Sequence, residues 1–260
     1  MTARITIERD RVDSTQDEIR RHFQQHPSSG GFVWARADEQ NSGRGRQGRT
    51  WLGTQGALMI SAGFTLPSEL AVRPFLLPFL AGLSLFDSIE EAGGDLQRCL
   101  LKWPNDLICV RKREGETVDF AKLAGILCET QGSRRMIVGW GVNLTKGAIE
   151  VPASSSLLQE RIFNASNVPA PRELASRLMN RFEARVSDWL SQGTSFEDLF
   201  LREFESRHLT PLIGCTGDLA DGRTARIVGL AEDGALRVRG EGEGHDTKVV
   251  SGAFTLKSHA

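Results

Sequence analysis

The chain has 260 residues, with 32 lysines and arginines against 33 aspartates and glutamates and a formal net charge of −1. That length holds one large domain, or a large and a small one, and its hydrophobic (40%) and charged (25%) fractions are those of a globular protein. Balanced charge excludes a global electrostatic grip on DNA or on a membrane surface, so any basic function must be local.

The N-terminus, MTARITIERDRVDST, is charged throughout and lacks the apolar stretch of a signal peptide. Thr15-Gln-Asp-Glu18 has the form of a capping box, and Ile19 and Phe23 follow at helical spacing, which predicts a first helix over 14–26. GFVWARA (31–37) reads as a strand. In ALMISAGFTL (57–66) the apolar residues Leu58, Ile60, Phe64 and Leu66 recur with period two, the mark of a half-buried strand. Pro74 opens a helix to about Ala92 with Phe75, Phe79, Leu83 and Phe86 on one face. Its apolar run, PFLLPFLAGLSLF, falls short of the about 20 residues that span a bilayer. CLLKW (99–103) and LICV (107–110) are short strands split by the turn residues Pro-Asn-Asp, and KLAGILCET (122–130) and RMIVGWGVNL (135–144) are two more. From Pro171 to about Leu190 the pattern is helical, through Leu174, Leu178, Phe182, Val186 and Trp189, and SFEDLFLREFESR (195–207) continues it.

Past Pro211 the texture changes: Asp221-Gly222 and Asp233-Gly234 are hairpin-turn pairs among short apolar runs. This predicts an α/β domain over 1–208 and a small β-barrel-like module over 209–260. Cys99, Cys109, Cys128 and Cys215 show no CxxC spacing, which reads as free thiols in a reducing cytoplasm.

GRGRQGRTW (43–51) sets three arginines and three glycines before a tryptophan. Its letters fit the dinucleotide fingerprint G-x-G-x-x-G, and fit a phosphate loop with Arg49 in place of lysine. Both motifs need a helix to start at the loop, so that its N-terminus meets the phosphates. Here the following segment has period two, so both matches are accidental. What remains is a long strand-to-strand connection, roughly 38–56, with little structure of its own. Its glycines make ordering costly, and Arg44, Arg46 and Arg49 repel one another until an anion arrives. Such a loop folds over a negatively charged ligand, for which arginine offers planar multi-donor forks. The same residues also fit a solvated basic loop, or one that touches nucleic acid.

Four more constellations accompany it. KWPNDL (102–107) is a lysine followed by a turn; KLAGIL (122–127) puts a lysine before a buried strand; GWGVNL (139–144) has glycines flanking Trp140, where backbone or ligand approaches closely. Asp13-Ser14-Thr15 is at least a helix cap. In this order the DST opening, the arginine loop, KWPND, KLAGIL and G-x-G-x-N resemble the biotin protein ligases, the bacterial biotin–[acetyl-CoA-carboxylase] ligase family, over nearly the whole chain.

That resemblance implies an α/β (α+β) fold: a mixed sheet flanked by helices, akin to class II aminoacyl-tRNA synthetases, with an SH3-like barrel at the C-terminus. It implies adenylation of biotin by ATP with Mg2+, then transfer to a lysine of a biotin carboxyl carrier domain. Carried over residue by residue, Ser14, Thr15, Gln16 and Gln40 meet the biotin ureido ring, with Gly125 beside them. Arg44, Gly45, Arg46 and Lys122 wrap the carboxylate and the adenylate phosphate, Arg46 and Lys122 acting in catalysis. Trp51 and Asn143 meet adenine, and Arg49, Lys102, Asn105 and Asp106 face the nucleotide phosphates, with Asp106 as a candidate Mg2+ ligand. Gln16 stands where the family usually has asparagine, Gln47 replaces a frequent arginine, and SGAFTL is less acidic than the usual ending. Only twelve residues precede Asp13, which implies a monofunctional form without a DNA-binding domain, neither DNA nor membrane as partner, and room for a homodimer. A lipoate protein ligase of the same fold and a non-catalytic biotin or nucleotide sensor are the alternatives. The five histidines join no motif.

Overall fold

A parallel strand pair needs a crossover, and helix α1 (Thr15–Gln25) supplies one between β1 (Arg4–Val12) and β2 (Phe32–Gln40). Among the described residues every other pairing between strands is antiparallel. Strands β3 (Leu58–Thr65), β4 (Cys99–Lys102), β5 (Asp106–Lys112), β6 (Val118–Gln131) and β7 (Arg135–Val142) complete a seven-stranded mixed sheet in the order β1-β2-β3-β7-β6-β5-β4. The structure is a computed structural model that describes residues 4–28, 30–53, 56–67, 73–112, 118–146, 153–250 and 254–257.

The period-two pattern assigns the sheet's faces. Phe32 and Trp34 of β2, Leu58, Ile60 and Phe64 of β3, and Val138 and Trp140 of β7 enter the main core beneath α2 (Leu77–Glu91), α3 (Pro171–Gln192) and α4 (Thr194–Phe204). Trp34 stacks on Trp140 with centroids 5.7 Å apart, and Phe182 meets both edge-on, at 5.8 and 4.9 Å. On the opposite face α1 closes a smaller cluster of Ile19, Phe23, Val33, Ala35 and Ile137. Strand β3 is therefore buried on both faces rather than one. Gly63 permits this, because a Cβ there would lie 2.4 Å from the Ile19 side chain.

The helix expected from Pro74 begins as a 3-10 turn, Pro74–Leu76, and becomes α-helical at Leu77. Phe75 sits on that turn, 58% exposed, so it does not share the face of Phe79 and Leu83. The rest of α2 is buried nearly all round, and its inward Ser84 and Ser88 hydroxyls bond back to the carbonyls of Leu80 (2.8 Å) and Ser84 (2.6 Å). Glu197 of α4 is fully buried and accepts from Trp189 Nε1 (2.8 Å), Arg73 N (2.6 Å) and Arg73 Nε (2.5 Å). It ties α3, α4 and the approach to α2 together.

A π-helical turn (Glu205–Leu209) leads to β8 (Thr216–Leu219), β9 (Thr224–Leu230), β10 (Leu236–Gly240), β11 (Thr247–Val249) and β12 (Phe254–Leu256). They form an antiparallel sheet ordered β11-β10-β9-β8-β12, turned at Gly222 (φ 84°) and Gly234 (φ 74°) as the Asp-Gly pairs predict. The expected barrel is thus an open sheet: among the described residues no pairing joins its edges, β11 and β12. Ala225, Ile227, Leu236 and Val238 extend the main core, and Trp103 Nε1 donates to Gly234 O at 3.0 Å. All four cysteines are free, and among the described residues no helix is long and apolar enough to cross a membrane.

Candidate active site

The polar start of α1 is buried, which a plain helix cap does not require. Ser14 takes the extended N-cap conformation (φ −154°, ψ 138°) without a side-chain capping bond, so the capping box expected at Thr15 does not form. Gln40 of β2 caps the helix instead: its Oε1 accepts from Thr15 N (2.8 Å) and Thr15 Oγ1 (3.1 Å). The Thr15 hydroxyl also lies 2.7 Å from that of Ser61, and Gln16 Nε2 donates to Leu127 O at 3.1 Å. Gly139 leaves space for Gln16, since a Cβ there would come within 3.2 Å of the amide carbon.

The arginine loop carries more structure than its composition predicts. It is a miniature hairpin: Trp51 N bonds Gly43 O (2.8 Å), Gly45 N bonds Arg49 O (2.7 Å), and Arg44 pairs with Thr50. Its tip is a 3-10 turn over Arg46–Gly48, where Gln47 (φ 56°) and Gly48 (φ 73°) are left-handed. Strand β3 follows and no helix does, so neither phosphate-loop motif has its mechanical context. Trp51 lies flat on the sheet where Gly125 and Gly141 have no side chains; a Cβ on Gly141 would sit 2.2 Å from Trp51 Cε2. The buried Trp51 Nε1 has no hydrogen-bond partner.

The turn between β4 and β5 is stitched to β6 by Asn105 Nδ2→Ile126 O (2.7 Å) and Ile126 N→Asn105 O (2.9 Å). Asn105 Oδ1 then accepts from Arg46 Nη1 at 3.1 Å. Asp106 accepts from Lys122 Nζ at 2.6 Å, and Lys102 Nζ stands 3.7 Å away. Lys122 escapes the usual surface fate because the β5–β6 register slips there, Leu107 facing Ala124 and Ile108 facing Lys122. Such an extra residue re-aims a side chain. The backbone freed by the slip pairs with another segment, Lys122 N→Ala153 O (2.7 Å) and Ser155 N→Lys122 O (3.0 Å). Asn143 Nδ2 bonds Ser155 O (2.9 Å), while its buried Oδ1 is unpartnered.

Every binding or catalytic candidate carried over by the resemblance, from Ser14 to Asn143, lines one cavity of about 430 Å³. Ser61, Leu127, Ser154 and the β12 residues Phe254–Leu256 line it too; Leu127 closes the KLAGIL run and Phe254–Leu256 end the SGAFTL run, while Ser61 is a lone polar residue in an apolar strand. Burial pushes the Arg46 guanidinium below its ordinary pKa, with Asp106 opposing the shift; burial does the same to Lys102, against the attraction of Asp106. Both cations have lost water without gaining a full counter-charge. Arg44 is different: it is paired with Asp17, and its pKa is raised by that hydrogen bond. For a metal, Asp106 is a poor centre, being taken by Lys122 with Lys102 nearby, and the described residues contain no cluster of three metal-ligating side chains.

The profile of the biotin/lipoate A/B protein ligase family matches residues 9–143. A biotin–[acetyl-CoA-carboxylase] ligase of Paracoccus denitrificans is 36% identical over 154 residues, covering 55% of this chain and 58% of that protein. One from Mycobacterium tuberculosis is 31% identical over 207 residues, covering 76% and 68%. Among solved structures, biotin protein ligase from Aquifex aeolicus in complex with biotin and ATP superposes with a TM-score of 0.73 at 27% identity, covering 98% of this chain and 99% of that one.

Proposed function

The chain belongs to the biotin/lipoate A/B protein ligase family, and on that premise we propose that it is a biotin protein ligase. A biotin carboxylate oxygen attacks the α-phosphorus of ATP, the bond to the pyrophosphate leaving group breaks, and biotinyl-5'-AMP forms. The neutral amine of a carrier-domain lysine then attacks the acyl carbon; an amide forms, AMP leaves, and the amine's proton passes to solvent.

The observation that carries this reading is that Arg46 and Lys122, anchored by Asn105 and Asp106, line one cavity with the polar start of α1 and with Trp51, the Lys122 ammonium lying over the Trp51 ring at 5.7 Å. Attack on phosphorus gathers negative charge, and fixed donors away from water stabilise it, each by about 10²–10³ in rate. Ser14, Thr15, Gln16 and Gln40 offer donors and acceptors suited to a ureido ring. Trp51 offers an indole face, and Asn143 Oδ1 an acceptor for an adenine amino group. Gly45 and Gly125 keep backbone close to the ligand, and Lys102 and Arg49 extend the positive field toward the outer phosphates. Among the described residues no cluster of side chains fits a metal centre, so Mg2+ would arrive on the nucleotide's phosphates. No protein nucleophile is required, and the mixed anhydride needs shelter from water, which the loop provides. The acceptor, a carboxylase carrier domain, and an ATP-rich cytoplasmic setting follow from the same chemistry.

The test is biotin-dependent exchange of pyrophosphate into ATP, followed by mass spectrometry of a carrier domain offered biotin and lipoate together. Exchange with biotin and a biotin adduct support the reading. A lipoyl adduct redirects it to the sister activity within the family, and binding of biotin or nucleotide without exchange leaves the non-catalytic sensor.

A further inference from the structure

The geometry points to Asp17 as a positioning residue that latches the arginine loop shut through Arg44, leaving Arg46 as the loop's donor to the ligand's anion. This rests on the ligase reading above. Arg44 grips Asp17 at two points, Nη1→Oδ2 at 2.9 Å and Nη2→Oδ1 at 2.8 Å. A two-point fork fixes orientation as well as distance, and both side chains are only about a third exposed (37% and 34%). Arg20 steadies the carboxylate from the other side at 2.8 Å and reaches Glu129 of β6 at 2.5 Å, so the catch is fastened to both α1 and the sheet. Asp17 directly follows Gln16, so the turn of helix that presents the cavity's polar end also carries the latch. Among the described residues the hydrogen-bond partner of Arg46 is the neutral Asn105 carbonyl, with Asp106 acting on it only at a distance. Its charge remains unmatched, whereas that of Arg44 is spent.

A loop rich in glycine loses much entropy on closing. A charged fork at its neck offsets part of that loss and lengthens the closed state's lifetime. Asp17 therefore governs retention of the activated intermediate more than its formation.

Asp17→Asn, Asp17→Glu, Arg44→Gln and the Asp17→Asn/Arg44→Gln double variant test this, each first checked for a wild-type circular dichroism spectrum. Three readouts are compared: biotin-dependent ATP–pyrophosphate exchange, biotin labelling of a bystander protein as a measure of escaping adenylate, and protease cleavage at 43–49. The expected result for Asp17→Asn is exchange within about threefold of wild type, escape raised about fivefold to tenfold, and faster loop cleavage. Asp17→Glu recovers part of the retention, and the double variant leaks no more than the worse single one. Wild-type retention and cleavage in Asp17→Asn overturn the latch, as does collapse of exchange with normal retention, which would make Asp17 a ligand contact. If the wild-type protein shows no biotin-dependent exchange, the ligase reading fails by itself, and cleavage of the loop still reads the latch.

Discussion

Adding one methyl group at Gly141 separates the two ends of the cavity. A Cβ there would lie 2.2, 2.5 and 2.6 Å from Trp51 Cε2, Nε1 and Cζ2, far inside the van der Waals distance of about 3.5 Å. Strand β7 is held between β3 and β6 by pairing on both sides of Gly141, so the backbone does not yield and the indole must move by more than about 1 Å. Overpacking of this kind costs about 1–3 kcal/mol. An adenine that stacks on the displaced ring loses about 1–3 kcal/mol, which corresponds to about a fivefold to 150-fold rise in KM for ATP in Gly141→Ala. The neighbouring substitution is the control. At Gly139 a Cβ would meet Gln16 at 3.2 Å, a milder contact at the opposite end, so Gly139→Ala raises KM for biotin by a few-fold (about 2–5) and leaves ATP nearly unchanged. Steady-state pyrophosphate exchange with each substrate varied in turn, on variants whose melting temperatures are also measured, reads both effects. An ATP KM within twofold of wild type in Gly141→Ala, or a rise confined to biotin, refutes the assignment of Trp51 to the nucleotide.

Lys122→Met removes a fixed cation and leaves Asp106 facing the cavity with Lys102 alone, so exchange falls by about 10²–10³ while the fold survives; exchange within tenfold of wild type, in a variant with a normal spectrum, counts against a transition-state role. Glu197→Gln replaces a fully buried carboxylate that three donors address, and lowers unfolding free energy by about 3–5 kcal/mol in urea titrations; a loss below 1 kcal/mol contradicts the three-element tie. Burial holds His208 neutral, its pKa pushed down from 6.5 to about 3, with Arg207 reinforcing the shift. The unfolded chain takes up that proton below pH 6.5 and the folded one does not until about 3, so this stability is whole above 6.5 and drains as pH falls. Between pH 7 and 5 the loss from this one group is about 2 kcal/mol. Urea midpoints followed from pH 7 to 5 should slope downward in the wild type and less so in His208→Gln, and parallel slopes would reject the assignment.

Elements that announce themselves by period were legible: α3 runs from the proline that opens its apolar stripe, and β2, β3, β6 and β7 follow their apolar runs. Tertiary context decided where the reading departed. Phe75 fits the helical stripe, but a 3-10 turn rotates it to the surface before α2 begins. Thr15 fits a capping box, but the helix borrows its cap from Gln40, and the threonine hydroxyl turns to Ser61. The charged residues that line the cavity were legible as candidates because each sits in a short, chemically distinct run. What holds them was not: the slipped register at Lys122, the carbonyls of Ile126 and Leu127, and the 153–155 segment act through backbone, which side-chain letters do not encode. Asp17 was missed because an acid in the first turn of a helix has a sufficient local explanation in the helix dipole.

The cavity's selectivity follows from what the fold leaves unfinished there. Arg46 and Lys102 are stripped of water without full compensation, and Asn143 Oδ1 and Trp51 Nε1 are buried without partners. Each of the two unpartnered buried atoms, Asn143 Oδ1 and Trp51 Nε1, raises the local free energy by about 1–3 kcal/mol relative to a satisfied one. An occupant stabilises the protein to the extent that it supplies an anion, a donor and an acceptor at those points. A cation or a plain hydrocarbon of the same volume does not, so the site discriminates by unmet demand rather than by size. Arg46 lines the same cavity as the polar end and the indole slot, held by Asn105. A ligand at one end alone therefore leaves part of the debt standing, and a carboxylate joined to a phosphate beneath that guanidinium relieves more than either group apart. On this argument the site is complementary to the joined species, which is the requirement for making a reactive anhydride and then keeping it from water.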